Sequence, residues 1–128
     1  MRNITTHKVA EHEDTVLLMA TDEPGPGGAN HTYWIGGFSL DEEKPDGEED
    51  EVTIQFQKGG LKEVGYLNGI TNEVLLAIVK DRLECFQAGP FKCDANALAL
   101  NYTNMALEAL KNRTRDRLAR GVEGKSET

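Results

Sequence analysis

Aromatic side chains are scarce in this chain, at 6% of 128 residues, so each one standing in a turn asks for a reason. Long apolar runs are missing too, and no stretch approaches the length of a membrane span. The start, MRNITTHKVAEHED, lacks the apolar core of a signal peptide. Together these absences predict a protein that stays in the cytoplasm, with no membrane partner. Cysteine is limited to Cys85 and Cys93. Two thiols separated by seven residues, with no histidine near, do not make a zinc site, and a reducing compartment predicts that they stay free. The Asn-x-Thr triplets at Asn3, Asn30, Asn101 and Asn112 resemble glycosylation acceptors, but without a secretory signal they carry no weight.

Catalytic patterns are also lacking. GPGG at 25–28 is followed by no Gly-Lys-Ser/Thr and opens no helix, so it is not a phosphate loop. In the acidic run 41–51, Pro45 and Asp46 stand where a calcium loop needs a ligand and its glycine. His7, His12 and His31 have no carboxylate or cysteine partners suited to a metal, and neither a serine elbow nor a Cys–His pair is visible. The expectation is a protein that is not an enzyme and has no cofactor.

Charge is present but divided. The net charge is −8, yet residues 41–51 (DEEKPDGEEDE) alone contribute −7, while residues 111–125 hold six basic and two acidic side chains. Surface fields follow such local clusters rather than the total. The basic end is therefore a candidate anion site, and the acidic run reads as a solvated loop.

The organisation is that of an α+β protein: a small N-terminal antiparallel sheet, then a two-helix antiparallel hairpin, in a single domain. Strands are expected at Thr15–Ala20, Thr32–Leu40 and Val52–Gln57, with DEPGPGGAN a loop between the first two. The β-rich part runs to about residue 66 and the hairpin spans about 71–120. Thr71 is the expected N-cap of the first helix, with Glu73 in its first turn and Leu75, Leu76, Val79, Leu83 and Phe86 as its apolar stripe. Asp94 is the expected cap of the second helix and Gly121 its stop. That helix has two stripes: Leu98, Tyr102 and Met105, and then Leu100, Leu107, Leu110 and Leu118. A helix apolar on two sides has two partners, and the second is expected to be another chain.

The hairpin turn, ECFQAGPFKC, carries Phe86, Gln87 and Phe91, with Asn96 just inside the second helix. The rings offer faces for a base to stack on, and Asn96 has both a donor and an acceptor for a base edge. At the far end Arg113 and Arg117 stand one turn apart, as exposed forks suited to phosphate oxygens. The same residues also read as aromatics plugging a turn and a salt-bridged helix end. A nucleic-acid-binding regulator using that arginine-rich end is the alternative function, which the acidic run disfavours.

The stretches NGITNEVLLAIV, DRLECFQAGPF and RTRDRLARGVEG, within about residues 54–124, resemble the helical-hairpin domain of phage anti-defence sponges. These are the Thoeris anti-defence proteins of the first type and the related anti-CBASS proteins; the N-terminal strands fit the Thoeris branch. The resemblance implies a phage protein, working in the host bacterial cytoplasm, that sequesters a nucleotide messenger without cleaving it. In Thoeris that messenger is a cyclic ADP-ribose isomer made by a TIR-domain enzyme, and some relatives also take cyclic di- or trinucleotides. Carried over residue by residue, Phe86 stacks on adenine, Asn96 hydrogen-bonds, and Arg113 and Arg117 neutralise the pyrophosphate. Asn96 and Arg113 lie seventeen residues apart, about 25 Å along one helix. One compact nucleotide does not span that distance, so the turn of one chain must meet the arginine end of another. A homodimer, or a higher multiple of one, follows.

Overall fold

The computed structural model describes residues 1–9, 16–37 and 51–121. Thr15, the expected end of the second strand at 38–40, the acidic residues 41–50 and the tail from 122 lie outside them. The chain divides into two compact units, Met1–Lys58 and Gly59–Thr128.

The first unit is a four-stranded antiparallel sheet in the order β1 (Arg2–Ile4), β2 (Val16–Ala20), β3 (Thr32–Gly37), β4 (Glu51–Gln55). The last three strands lie where the apolar run, the aromatic and β-branched run and the alternating run put them. β1 was not legible, because three residues are too few to display an alternation. Register lines up Ile4, Leu18, Ile35 and Val52 across all four strands on one face, with Ala20, Tyr33 and Ile54 in a parallel row. Beside them Phe56 meets Tyr33 edge to face, with centroids 5.6 Å apart. Asn3, Met19, Trp34 and Thr53 form the corresponding row on the opposite face. There Trp34 Nε1 donates to Glu51 at 2.7 Å and its ring lies over Gly36, where any Cβ would run into the indole. Glycine is required at 36 for that close approach.

The GPGG loop is tied off by one carboxylate. Asp22 accepts hydrogen bonds from the backbone amides of His31 (3.0 Å) and Thr32 (3.2 Å) and from Asn30 Nδ2 (3.3 Å). Gly27 and Gly28, with φ of +76° and +81°, take the left-handed conformation that closes the turn. Partial burial on its own raises the Asp22 carboxyl, but the three donors outweigh it and hold the group below the ordinary aspartate value of 3.8.

The second unit opens on a four-residue helix, α1 (Leu61–Val64), too short to leave a periodic signature. The hairpin follows: α2 (Asn72–Ala88) and α3 (Asp94–Ala119). Thr71 caps α2 as expected, its hydroxyl accepting from the Val74 amide at 3.2 Å. The cap of α3 is Cys93 rather than Asp94. The Cys93 sulfur accepts from the Asn96 amide at 3.4 Å, and Asp94 falls inside the first turn, where its charge still favours the helix N-terminus. Gly121, at φ +74°, ends α3 as expected. No helix of the described residues is long and apolar enough to cross a membrane.

Because the folded state depresses the Asp22 pKa, its stabilising contribution is complete above the unfolded value of 3.8 and is lost as pH falls through the lower folded value. Asp22→Ala should therefore lower the melting temperature at neutral pH, and the gap to wild type should shrink in strong acid. Thermal denaturation of both proteins across that range measures it. A gap that does not change with pH would exclude the carboxylate as its source.

Candidate functional site

Two clusters occupy the two ends of the hairpin. At the turn, α2 stops because Pro90 has no amide to continue the ladder, and the Gly89 amide closes back on the Phe86 carbonyl at 3.2 Å. Gln87 braces the loop from inside, its Oε1 accepting from the Cys93 amide at 3.1 Å. Phe86 and Phe91 stand nearly perpendicular, 70° between planes and 6.3 Å between centroids. Phe86 is half-buried, whereas Phe91 is 71% exposed, which is costly for a ring whose only duty is to plug a turn. The Arg82 guanidinium lies over the Phe86 ring, 5.6 Å from its centroid. Arg82 was missed in the sequence; its place four residues before Phe86 on a helix was the available signal.

Asn96 joins this cluster. Its Nδ2 donates to the Phe91 carbonyl at 3.4 Å, a long bond that a better acceptor would displace. Cys85 and Cys93, on either side of the turn, are both free and exposed.

Along α3, residues Asn96, Leu100, Thr103, Leu107, Leu110, Thr114 and Arg117 recur in alternating steps of four and three, and every one is half-buried or buried. This is the 3.5-residue repeat of a coiled-coil seam, here with polar side chains at more than half its positions. Asn104, alongside the seam, buries its Oδ1 with no hydrogen-bond partner. Leu98, Tyr102 and Met105 lie off it, 54%, 61% and 60% exposed. The two stripes expected on this helix are thus separated, with Leu100, Leu107 and Leu110 inward. Leu118, assigned to the inward stripe, is exposed.

At the far end the cations are sorted by their partners. Lys111 and Arg115 both engage Glu108, at 3.1 and 3.6 Å, and Arg120 pairs with Asp116 at 3.1 Å. The hydrogen bond and charge of Lys111, with help from Arg115, hold the Glu108 carboxyl below its usual range. Arg113 is exposed, and no carboxylate pairs with it among the described residues. Arg117 departs from the expectation of an exposed fork: it is 7% exposed and engaged within the fold. The reason is periodicity, since Arg117 falls on the seam and Arg113 does not.

The four residues singled out in the sequence therefore fall into two pairs. Phe86 and Asn96 share the turn, and Arg113 and Arg117 share the far end. α3 is unbroken between them, so the separation of about 25 Å stands.

This burial pattern predicts different costs for the two arginines. Arg113→Ala should leave stability within about 0.5 kcal/mol of wild type, whereas Arg117→Ala should cost about 1–3 kcal/mol in lost packing and hydrogen bonding. Urea denaturation of both variants measures this, and equal stabilities would contradict it.

The family model for the Acb2/Tad1 hairpin domain matches residues 48–115, more than half of the chain. "Thoeris anti-defense 1" of Bacillus phage SBSphiJ7 is 45% identical over 76 residues, which cover 59% of this chain and 53% of that protein. The chain thus spans about half the length of the curated relative it matches. With the match running from β4 through most of α3, and with both end clusters inside or just beyond it, the chain belongs to the Acb2/Tad1 hairpin-domain family.

Proposed function

We propose that this protein is a phage anti-defence sponge: it binds a cyclic ADP-ribose-type nucleotide made by a TIR-domain enzyme of the Thoeris system and withholds it without cleaving it. The observation that carries this reading is the pairing of an exposed aromatic corner with a base-reading amide at one helix end and an uncommitted guanidinium at the other. A nucleotide has matching parts, a base to stack and phosphates to neutralise. Phe86, Phe91 and Asn96 take the base in this proposal, and Arg113 takes the pyrophosphate, while Arg117, expected beside it, is engaged within the fold and supports that end from inside. Cyclic di- and trinucleotides, with the same chemistry, are further candidate ligands. The nucleic-acid alternative loses support, because Lys111, Arg115 and Arg120 are spent on neighbouring carboxylates.

In this reading the protein works as a homodimer or a multiple of one. Among the described residues only Ala20 and Leu107 are buried apolar side chains, while Leu98, Tyr102 and Met105 line one exposed face of α3. A second copy covering that face, with its α3 running the opposite way, brings each turn to the partner's arginine end and shortens the 25 Å gap to contact.

Sequestration without turnover is tested by loading the protein with the cyclic ADP-ribose isomer, removing unbound ligand and releasing the rest by heat. The nucleotide should return intact and still activate its effector. Linear or hydrolysed product accumulating with time would mean that the protein is an enzyme.

The shared pocket is tested with mixed dimers. Asn96→Ala and Arg113→Ala should each weaken binding about tenfold to a hundredfold, the loss of one charge-assisted or bidentate contact. A dimer with one chain of each kind has one doubly damaged pocket and one intact pocket, so mixing the two variants should restore up to half of the sites. Proven chain exchange with no recovery would place each pocket within a single chain.

A further inference from the structure

The turn carries a cation that the base-stacking role of Phe86 does not use. Arg82 lies one helical turn before Phe86, with its guanidinium over the ring. Carboxylates flank it in sequence at Asp81 and Glu84, yet Glu84 turns to Lys80 at 3.9 Å, and no carboxylate pairs with Arg82 among the described residues. This differs from the far end of the hairpin, where Lys111, Arg115 and Arg120 are all neutralised by their own helix. A guanidinium held against a ring has shed water on that side, while its N–H groups, lying in its own plane, remain able to donate. Such a partly desolvated fork is better placed for a phosphate than a fully hydrated one.

Charge accounting at the proposed site leads to the same residue. A pyrophosphate brings two negative charges, but the arginine end offers only one uncommitted fork, Arg113, since Arg117 is buried and engaged. We propose that Arg82 is a further ligand-contacting residue, whose guanidinium hydrogen-bonds a phosphate of the same nucleotide whose base stacks on Phe86. The proposal rests on the nucleotide-binding reading given above. In the resulting site Arg82 approaches the phosphates from the turn side and Arg113 from the partner chain, so the two charges are met from opposite directions.

Isothermal titration of full-length Arg82→Gln and Arg82→Lys with the TIR-made cyclic ADP-ribose isomer, at low and high salt, tests this. Arg82→Gln should bind about tenfold more weakly or worse at low salt, and its affinity should fall less steeply with salt than that of wild type. Arg82→Lys, which keeps the charge without the fork, should recover part of the loss and the steep salt response. Three results would overturn the proposal. An Arg82→Gln affinity within twofold of wild type would show that Arg82 does not touch the ligand. A loss with unchanged salt dependence and no rescue by lysine would show that it only steadies the ring. Wild-type protein that binds no isomer at all would remove the nucleotide reading and this role with it, whereas wild-type binding with an unaffected Arg82→Gln removes this role alone.

Discussion

A rigid α-helix advances about 1.5 Å per residue, and that constraint governs everything else in the hairpin. α3 runs from Asp94 to Ala119 without a break, so whatever stands at its two ends is held apart by a fixed distance. Asn96 at the turn and Arg113 and Arg117 at the far end cannot approach each other without melting helix between them. Any ligand smaller than the helix has to meet these groups from different molecules. The helix therefore acts as a ruler, and in the proposed site the shared use of its two ends follows from its length.

The same helix is also short of a core. Its inward seam includes Asn96, Thr103, Thr114 and Arg117, and Leu107 alone is buried among its apolar side chains. Burial contributes roughly 25 cal/mol per Å² of apolar surface, so a seam this polar leaves much of the hairpin's stabilisation to be found elsewhere. The exposed row Leu98, Tyr102 and Met105 is where it can be found. In the dimer proposed above, stability and site assembly draw on one event, the covering of that row by another copy, which couples the dimer to the pocket.

How the cations are distributed follows from local chemistry. Glu108 and Asp116 sit at helical spacings from Lys111, Arg115 and Arg120, and these side chains satisfy one another within the helix. Arg113 stands outside that network, and Arg117 is drawn into the seam. At the turn the logic is similar: Gln87 and Cys93 spend their hydrogen bonds holding the loop, while Phe91 and the weakly held Asn96 amide remain available. Groups that maintain the fold and groups able to meet a ligand are thus separated within a few residues of one another.

Much of this was legible in the amino-acid sequence, because it depends on interactions between near neighbours. The strand-forming runs behind Val16–Ala20, Thr32–Gly37 and Glu51–Gln55, the Thr71 cap, the Gly-Pro break and the Gly121 stop are all local, and each is found where the pattern put it. The two apolar stripes of α3 were visible for the same reason, as was the family resemblance of the hairpin, which the Acb2/Tad1 match bears out. What the sequence left undecided needed a partner element. Three residues of β1 become a strand only by pairing with β2, and Cys93 becomes a cap only once Gln87 has fixed the loop before it. Arg113 and Arg117 look alike in the sequence, and only the tertiary fold leaves one buried and the other exposed. Arg82 acquires its meaning only from the ring it covers. Local periodicity determines which elements form; which of two chemically equal side chains is left free for a ligand is decided by what packs against them.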